Sequence, residues 1–253
     1  MSMTTIDTFL ESAWSDHADR PQDVADRMAA SFDVIQAPEH VPPFVRLLVH
    51  VYGEHLGEWQ RGVDLLGSLR RLPAVDASTP AVDSIVRGVA TLRYASGSPE
   101  TLNALSPEDQ VLALATASSA LAATLKEKHD RTASETEAMV AAAEAGLKYW
   151  KLAGTWLEEE RAEYRLARSL LQAGQPSAAI RSAKRCLAVC EQNTAPPFEQ
   201  FFAHAVVALA HRASGNEASF EAHHRMARSV FEQLPEAERK WCESDLAELN
   251  GGN

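Results

Sequence analysis

Apolar residues along this chain recur at spacings of three and four, the pattern of a helix with one buried face. The segments PPFVRLLVHVYGEHL and FFAHAVVALAHRA show it most clearly, and no alternation of apolar and polar residues is long enough to predict a β-strand. The pattern therefore predicts an all-α protein. It favours helix pairs near 5–36, 42–72, 79–105, 106–152, 155–192 and 197–233, with a last helix at 236–249. The second helix of the third pair is expected to be short.

Glycines mark corners between helical runs at a regular interval. Gly57, Gly97, Gly174 and Gly215 are separated by 40, 77 and 41 residues, so that the middle interval is nearly twice the others. The polar segment KHDRTASET supplies the missing corner near residue 135. Because glycine adopts the left-handed conformation after a helix without steric penalty, the spacing predicts a repeat of about 40 residues.

The residues that follow these corners favour the start of a new helix. Pro99 and Pro176 each stand two residues after a corner glycine, and proline is tolerated in the first turn of a helix because its missing N–H is not needed there. Ser98, Ser177 and Asn216 are suited to capping free N–H groups.

The corner and the spacing resemble the tetratricopeptide repeat family, in particular its longer repeats of about 40 residues. In that family, small residues let the two helices of a repeat approach closely. Aligned on Gly174 and Gly215, these positions hold Ala167, Ala179, Cys186, Ala208, Phe220 and Ala227, of which Phe220 departs from the pattern. HEAT-like repeats share the period but do not typically require the glycine corner.

The resemblance implies a right-handed α-α superhelix of about six helical hairpins. It would form a single domain over 1–253, with a divergent hairpin at 1–37, the best repeats at 155–233 and a C-terminal capping helix at 236–249. The implied function is that of a non-catalytic scaffold that binds a protein or peptide and needs no cofactor. A ligand- or peptide-sensing regulatory domain is the alternative.

The family resemblance also implies a concave groove lined by the first helix of each pair. The positions that would line it are Arg87, Thr91, Tyr94, Arg161, Tyr164, Arg168 and Gln172. Arginine pairs with carboxylates and tyrosine adds an amphipathic contact, so an acidic peptide segment is the expected ligand. In the alternative interpretation, the arginines pair with glutamates of their own segment, namely Glu158, Glu159, Glu160 and Glu163.

Three histidines carry a second candidate site. His204 and His211 lie seven residues apart on one helical face, and His224 is expected to approach from the partner helix. Three converging imidazoles would bind Zn²⁺, which makes a helical metal-binding protein or metalloenzyme a second alternative. Hydrogen-bonded histidines in a partly wet core are the simpler explanation.

Two smaller groups have both a functional and a structural interpretation. Cys186 and Cys190 lie one helical turn apart. They would form a redox pair or would be small buried thiols, and this spacing is unfavourable for a disulfide bond. Tyr149, Trp150 and Trp156 would form a ligand cage or, as large residues commonly do, a packed seam.

Composition excludes several classes of function. The net charge of −11 would repel nucleic acid and anionic membrane surfaces, so neither is expected as a partner. Three cysteines do not make a disulfide framework, no apolar run approaches a membrane span, and the first residues lack the features of a secretory signal. No GxSxG, phosphate-binding glycine loop or HExxH motif occurs. We therefore expect a cytoplasmic protein that is not an enzyme.

Overall fold

The computed structural model describes residues 5–76 and 79–251, and within these ranges the protein consists of helices and their connections, without a β-strand. The predicted all-α class is confirmed. The ends of the predicted domain, residues 1–4 and 252–253, lie outside the described residues, as do residues 77 and 78 of the link between the second and third predicted pairs. None of the described helices is long and apolar enough to cross a membrane.

The chain divides into two compact units, Met1–His129 and Asp130–Asn253. The boundary falls in the polar segment KHDRTASET, where the sequence predicts a corner. The two helices expected to pair within 106–152 therefore belong to different units. That the whole of 1–253 forms one repeat domain stays a prediction.

Unit 1, Met1–His129, is built from helices of unequal length. Its α-helices are α1 (Ile6–Asp16), α2 (Pro21–Ala30), α3 (Val41–His50), α4 (Trp59–Leu69), α5 (Pro73–Asp76), α6 (Thr79–Ala95) and α7 (Pro107–Glu127). A π turn at Val51–His55 continues α3 directly, and short 3-10 helices occupy Phe32–Val34 and Pro38–His40. A further 3-10 helix at Pro99–Ala104 stands where the short second helix of the third pair was expected.

Large apolar side chains fill the core of unit 1. Phe44, Leu66 and Leu92 are buried almost completely, because α6 packs against both α3 and α4 while α7 packs against α6 and the π turn. The Tyr52 ring is also buried, and its hydroxyl donates a hydrogen bond to the Ala25 carbonyl at 3.2 Å. This bond ties α2 to the π turn.

Unit 2, Asp130–Asn253, is more regular. Its helices are α8 (Ala133–Ala153), α9 (Trp156–Gln172), α10 (Pro176–Gln192), α11 (Pro197–Ala213), α12 (Glu217–Gln233) and α13 (Glu236–Leu249). The four helices from α9 to α12 are 17 residues long each. These bounds agree with the helix pairs predicted at 155–192 and 197–233 and with the predicted last helix.

The predicted corners have the expected backbone geometry. Gly174 has φ +68° and Gly215 has φ +76°, and the other two corner glycines are also in the left-handed region. Pro176 is the first residue of α10, and the Asn216 side chain accepts a hydrogen bond from the Ser219 backbone N–H at 3.1 Å. Glycine therefore ends one helix and the next few residues begin another, but Ser177 does not cap α10: its N-cap is Gln175, which makes no side-chain cap hydrogen bond.

Small residues lie where the helices of unit 2 cross. The side chains at Ala167, Ala179, Cys186, Ala208 and Ala227 are fully buried. Within the unit α9 packs against α10 and α11, α10 against α11, α11 against α12, and α13 against both α11 and α12. The helix axes can approach closely because these side chains occupy little volume.

Candidate functional site

Four of the predicted groove residues lie along α9 at spacings of three or four, so they share one face of that helix. These four, which we call the α9 row, are Arg161, Tyr164, Arg168 and Gln172. Each of them has a polar partner outside α9. The face predicted to bind a ligand is thus a face that binds other parts of the chain.

The middle of the α9 row binds the acidic end of α13. The Tyr164 hydroxyl donates a hydrogen bond to Asp245 Oδ1 at 2.5 Å. Arg168 Nη2 donates to Glu248 Oε2 at 2.7 Å, and its Nη1 lies 3.5 Å from Asp245 Oδ1. Because Asp245 and Glu248 are three residues apart on α13, both carboxylates face the row together.

Electrostatics keep both donors of this contact protonated. Burial raises the pKa of Tyr164 well above its usual value, and the charge of Asp245 raises it further. Burial disfavours the charged form of Arg168, but Tyr164, Asp245 and Glu248 outweigh it and raise the pKa of Arg168. The pair therefore presents one neutral and one cationic donor to the two carboxylates of α13.

The two ends of the α9 row contact other helices. Arg161 directs Nη2 at Glu199 Oε1 of α11 at 2.5 Å and Nε at Glu199 Oε2 at 3.5 Å. Gln172 accepts a hydrogen bond from Arg131 at 2.8 Å. Of the α9 glutamates considered as alternative partners, Glu163 pairs with Lys151 at 3.0 Å, and Glu158 and Glu160 act on Arg161 only through their charge. The hydrogen bonds of the row's arginines thus go to α11 and α13 rather than to their own helix.

A buried carboxyl group lies behind the row. Glu160 is 1 % exposed and accepts a hydrogen bond from the Cys186 thiol at 2.9 Å. Its pKa is raised to about 7, chiefly by burial and also by the charge of Glu199, and the Cys186 bond opposes part of this shift. Cys186 and Cys190 are free, buried thiols, and their mutual hydrogen bond together with burial raises the pKa of Cys186. A thiol with a raised pKa is a poor nucleophile, which fits the structural interpretation of this pair.

The three groove residues predicted in unit 1 do not form a comparable row. Thr91 is only 4 % exposed, and its hydroxyl donates to the Arg87 carbonyl of its own helix at 2.9 Å. The Arg87 side chain pairs with Asp109 of α7 at 2.6 Å. Tyr94 is half-buried and packs against a small cluster around Leu102. Thr91 therefore faces the interior and has almost no surface to offer a partner.

The predicted histidine cluster has a different third member. His204 Nδ1 lies 3.1 Å from His223 Nδ1, and the rings of His211 and His223 stack at 6.3 Å. His224, in contrast, stacks on Phe220 and places Nε2 3.1 Å from Asn250 Oδ1. One residue along a helix is a rotation of 100°, so the structure corrects the predicted register: His223, not His224, faces His204.

The environment of His204 favours a neutral ring. Burial and, as the second cause, the proximity of His223 together lower its pKa to about 4. The aromatic residues predicted to form a packed seam or a ligand cage are all half-buried, namely Tyr149, Trp150 and Trp156. Beside them, Lys148 Nζ lies 5.4 Å from the centre of the Tyr149 ring.

Three other histidines, which the sequence analysis did not single out, converge in unit 1. The rings of His17, His50 and His55 are 4.7 to 4.9 Å apart, centre to centre. Helical periodicity does not predict this group, because residues five apart, such as His50 and His55, lie on different faces of a regular α-helix. The signal available in the sequence was only the number of histidines in the first 55 residues.

No protein-family model matches this chain, and no curated protein matches it with significant sequence similarity. Function is therefore inferred from its own side chains.

Proposed function

We propose that the chain is a non-catalytic scaffold that binds an acidic helical segment of a partner protein through the α9 row. The observation that carries this proposal is the contact with α13, in which Tyr164 and Arg168 bind two carboxylates on one face of a helix. Such a face is selective for helices that present acidic residues three apart, since both donors are fixed on the rigid surface of α9.

The repeat architecture of the tetratricopeptide class belongs to the same proposal. Its support is the corner glycines, the small buried residues and the packing of α11 on both α9 and α10. In such an array the first helices of successive pairs line one surface, and here these helices are α9 and α11. Arg161 of α9 and Glu199 of α11 meet on that surface.

In this proposal α13 is an internal occupant of the binding face. A partner helix replaces the terminal turn of α13, because the row has one set of donors for two competing acidic helices. Arg168 is 14 % exposed in its side chain while α13 is in place, so binding requires that this end of α13 moves away. The exchange is favoured by any change that weakens the α13 contact.

A peptide exchange experiment tests the proposal. The probe is a fluorescent peptide that copies residues 236–250, with serine in place of Cys242, and the protein is the full chain carrying Asp245→Asn and Glu248→Gln. Loss of the two charges loosens α13, and each hydrogen bond to a charged group contributes about 1.5–3 kcal/mol. We expect the peptide to bind this variant at least about tenfold more tightly than the unaltered chain, as measured by fluorescence anisotropy.

Matched variants identify the face that binds. In the same loosened background, Arg168→Gln should abolish binding of the peptide, whereas Arg181→Gln on the exposed side of α10 should leave it unchanged. A peptide that carries the same two amide substitutions should not bind. Equal binding by the Arg168→Gln and Arg181→Gln variants would contradict the proposal. The ligand-sensing and metalloenzyme alternatives stay predictions.

A further inference from the structure

The histidine group of unit 1 has the compactness of a metal site. A ring nitrogen of each of His17, His50 and His55 lies within 4.8 Å of those of the other two. Among residues 5–76 and 79–251, no other set of three histidine, cysteine or carboxylate side chains converges this closely. We call these three residues the histidine cluster of unit 1.

The π turn brings two members of the histidine cluster together. The Val51 carbonyl accepts a hydrogen bond from the Leu56 N–H, five residues later, at 3.0 Å. In an α-helix, His50 and His55 would point about 140° apart, whereas the wider turn places His55 Nε2 3.2 Å from His50 Nε2. Turns of this kind are rare and occur frequently at functional sites.

A contact from α7 stabilises the π turn. Thr124 donates a hydrogen bond to the Gly53 carbonyl at 3.2 Å, so a side chain of α7 is bonded directly to the backbone of the turn. The geometry of the cluster is therefore supported by the tertiary structure of the unit and not by one segment alone.

Two members of the histidine cluster are oriented by acceptors on their far side. His17 Nδ1 lies 2.8 Å from the Trp14 carbonyl, and His50 Nδ1 lies 3.3 Å from Glu54 Oε2. The Trp14 carbonyl can only accept a hydrogen bond, so in the neutral ring of His17 the hydrogen is on Nδ1 and the lone pair is on Nε2. A histidine that binds a metal typically has this arrangement, in which the outer acceptor fixes the tautomer and the ring orientation.

The distances suit a tetrahedral zinc ion. Zinc binds imidazole nitrogen at about 2.0–2.1 Å, which in tetrahedral geometry separates two ligand nitrogens by about 3.3–3.4 Å. His50 and His55 are already close to this separation, at 3.2 Å. The ring nitrogen of His17, within 4.8 Å of both, needs to approach by at most about 1.5 Å.

We propose that His17, His50 and His55 bind one Zn²⁺ ion through their Nε2 atoms, with water as the fourth ligand. His17 is buried and His55 is exposed, so that the ion is anchored from the inside and reached from solvent. Three imidazoles with water in the fourth position are an established ligand set for Zn²⁺. This site is independent of the α9 row and of the function proposed for it.

Metal titration of the full chain, without an affinity tag and after treatment with a chelator, tests the site. Isothermal titration with ZnCl₂ should give one ion per chain, and Co²⁺ should give the intense visible absorption of a tetrahedral nitrogen site. His55→Gln changes an exposed residue and so should fold, yet it should lose both signals. Glu54→Ala removes only an outer acceptor and should weaken binding by roughly 10–100-fold.

His204→Gln is the matched control, since it removes a histidine from the cluster of unit 2. It should bind one ion as tightly as the unaltered chain. The proposal is overturned if the unaltered chain binds no ion stoichiometrically, or if His55→Gln binds as tightly as the unaltered chain. It is equally overturned if His204→Gln is the variant that loses the ion.

Discussion

The interiors of the two units are packed with different kinds of side chain. In unit 2 the helices from α9 to α12 have equal length, and alanines and a cysteine lie at their crossings. In unit 1 the α-helices range from 4 to 21 residues, and a π turn interrupts them. Its core depends on large side chains such as Phe44 and Tyr52. A regular array needs small residues at repeated positions, whereas an irregular one is held by the shapes of individual large residues.

The same contrast applies to the polar groups. Unit 2 buries carboxyl groups against arginine, lysine and thiol partners, and the partners come from neighbouring helices of the unit. Unit 1 gathers histidines at a place where the helix departs from regular geometry. Irregular backbone thus brings together His50 and His55, which a regular α-helix would place on different faces.

The largest expected effect comes from truncating the core of unit 1. Phe44→Ala removes a fully buried ring that contacts Phe9 and Phe32, and it should lower the free energy of unfolding by about 3–5 kcal/mol. Hydrogen exchange of α3 combined with denaturant unfolding measures the loss. Val86→Ala, at a more exposed position of α6, should cost far less. Similar losses for both variants would mean that large buried residues do not determine the stability of unit 1.

A smaller, pH-dependent effect is expected in unit 2 from Glu160. Its pKa is raised from 4.5 to about 7, so the folded chain holds more protons than the unfolded chain between these values, and stability falls as pH rises through this range. Glu160→Gln keeps an acceptor for the Cys186 thiol. It should be neutral near pH 4.5 and stabilise the chain by at most about 3 kcal/mol at pH 8. Denaturant unfolding across this range measures the difference, and a difference that does not change with pH would refute this role of Glu160.

The smallest effect sharpens the contrast between the two cores. Ala167→Leu adds volume at a fully buried crossing in unit 2 and should cost about 1–3 kcal/mol through overpacking. Ala141→Leu, at an exposed position of α8, is the control and should be close to neutral. Thermal unfolding of both variants measures the costs. If both substitutions are neutral, small residues are not what unit 2 requires at its crossings.

The sequence predicted the helices of unit 2 well because their signals are local. Gly174 and Pro176 each act through their own backbone conformation, and the apolar spacing follows the helical period. The groove residues of unit 1 show the limit of this approach. Thr91 satisfies the same positional rule as the α9 row, but it is buried in the packed interior of unit 1. The hydrophobic period of a helix shows which face is apolar, but it does not show which other helix will cover a given face.

The histidines show the same limit at finer resolution. His223 rather than His224 faces His204 because the rotation of α12 against α11 is set by packing along both helices. The approach of His50 to His55 depends on a π turn that Thr124, about 70 residues later, helps to stabilise. Contacts of this kind cannot be predicted from the hydrophobic pattern of a single segment.

The sequence by itself determined the helical class, the positions of the corners and the small residues at the crossings of unit 2, because hydrogen bonds and steric preferences within a few residues decide them. The tertiary structure decided what the polar side chains meet. It placed the acidic end of α13 on the α9 row and gathered the three histidines of unit 1. Most of these partners are far apart in sequence, and they meet only where burial of apolar surface has fixed how the helices pack.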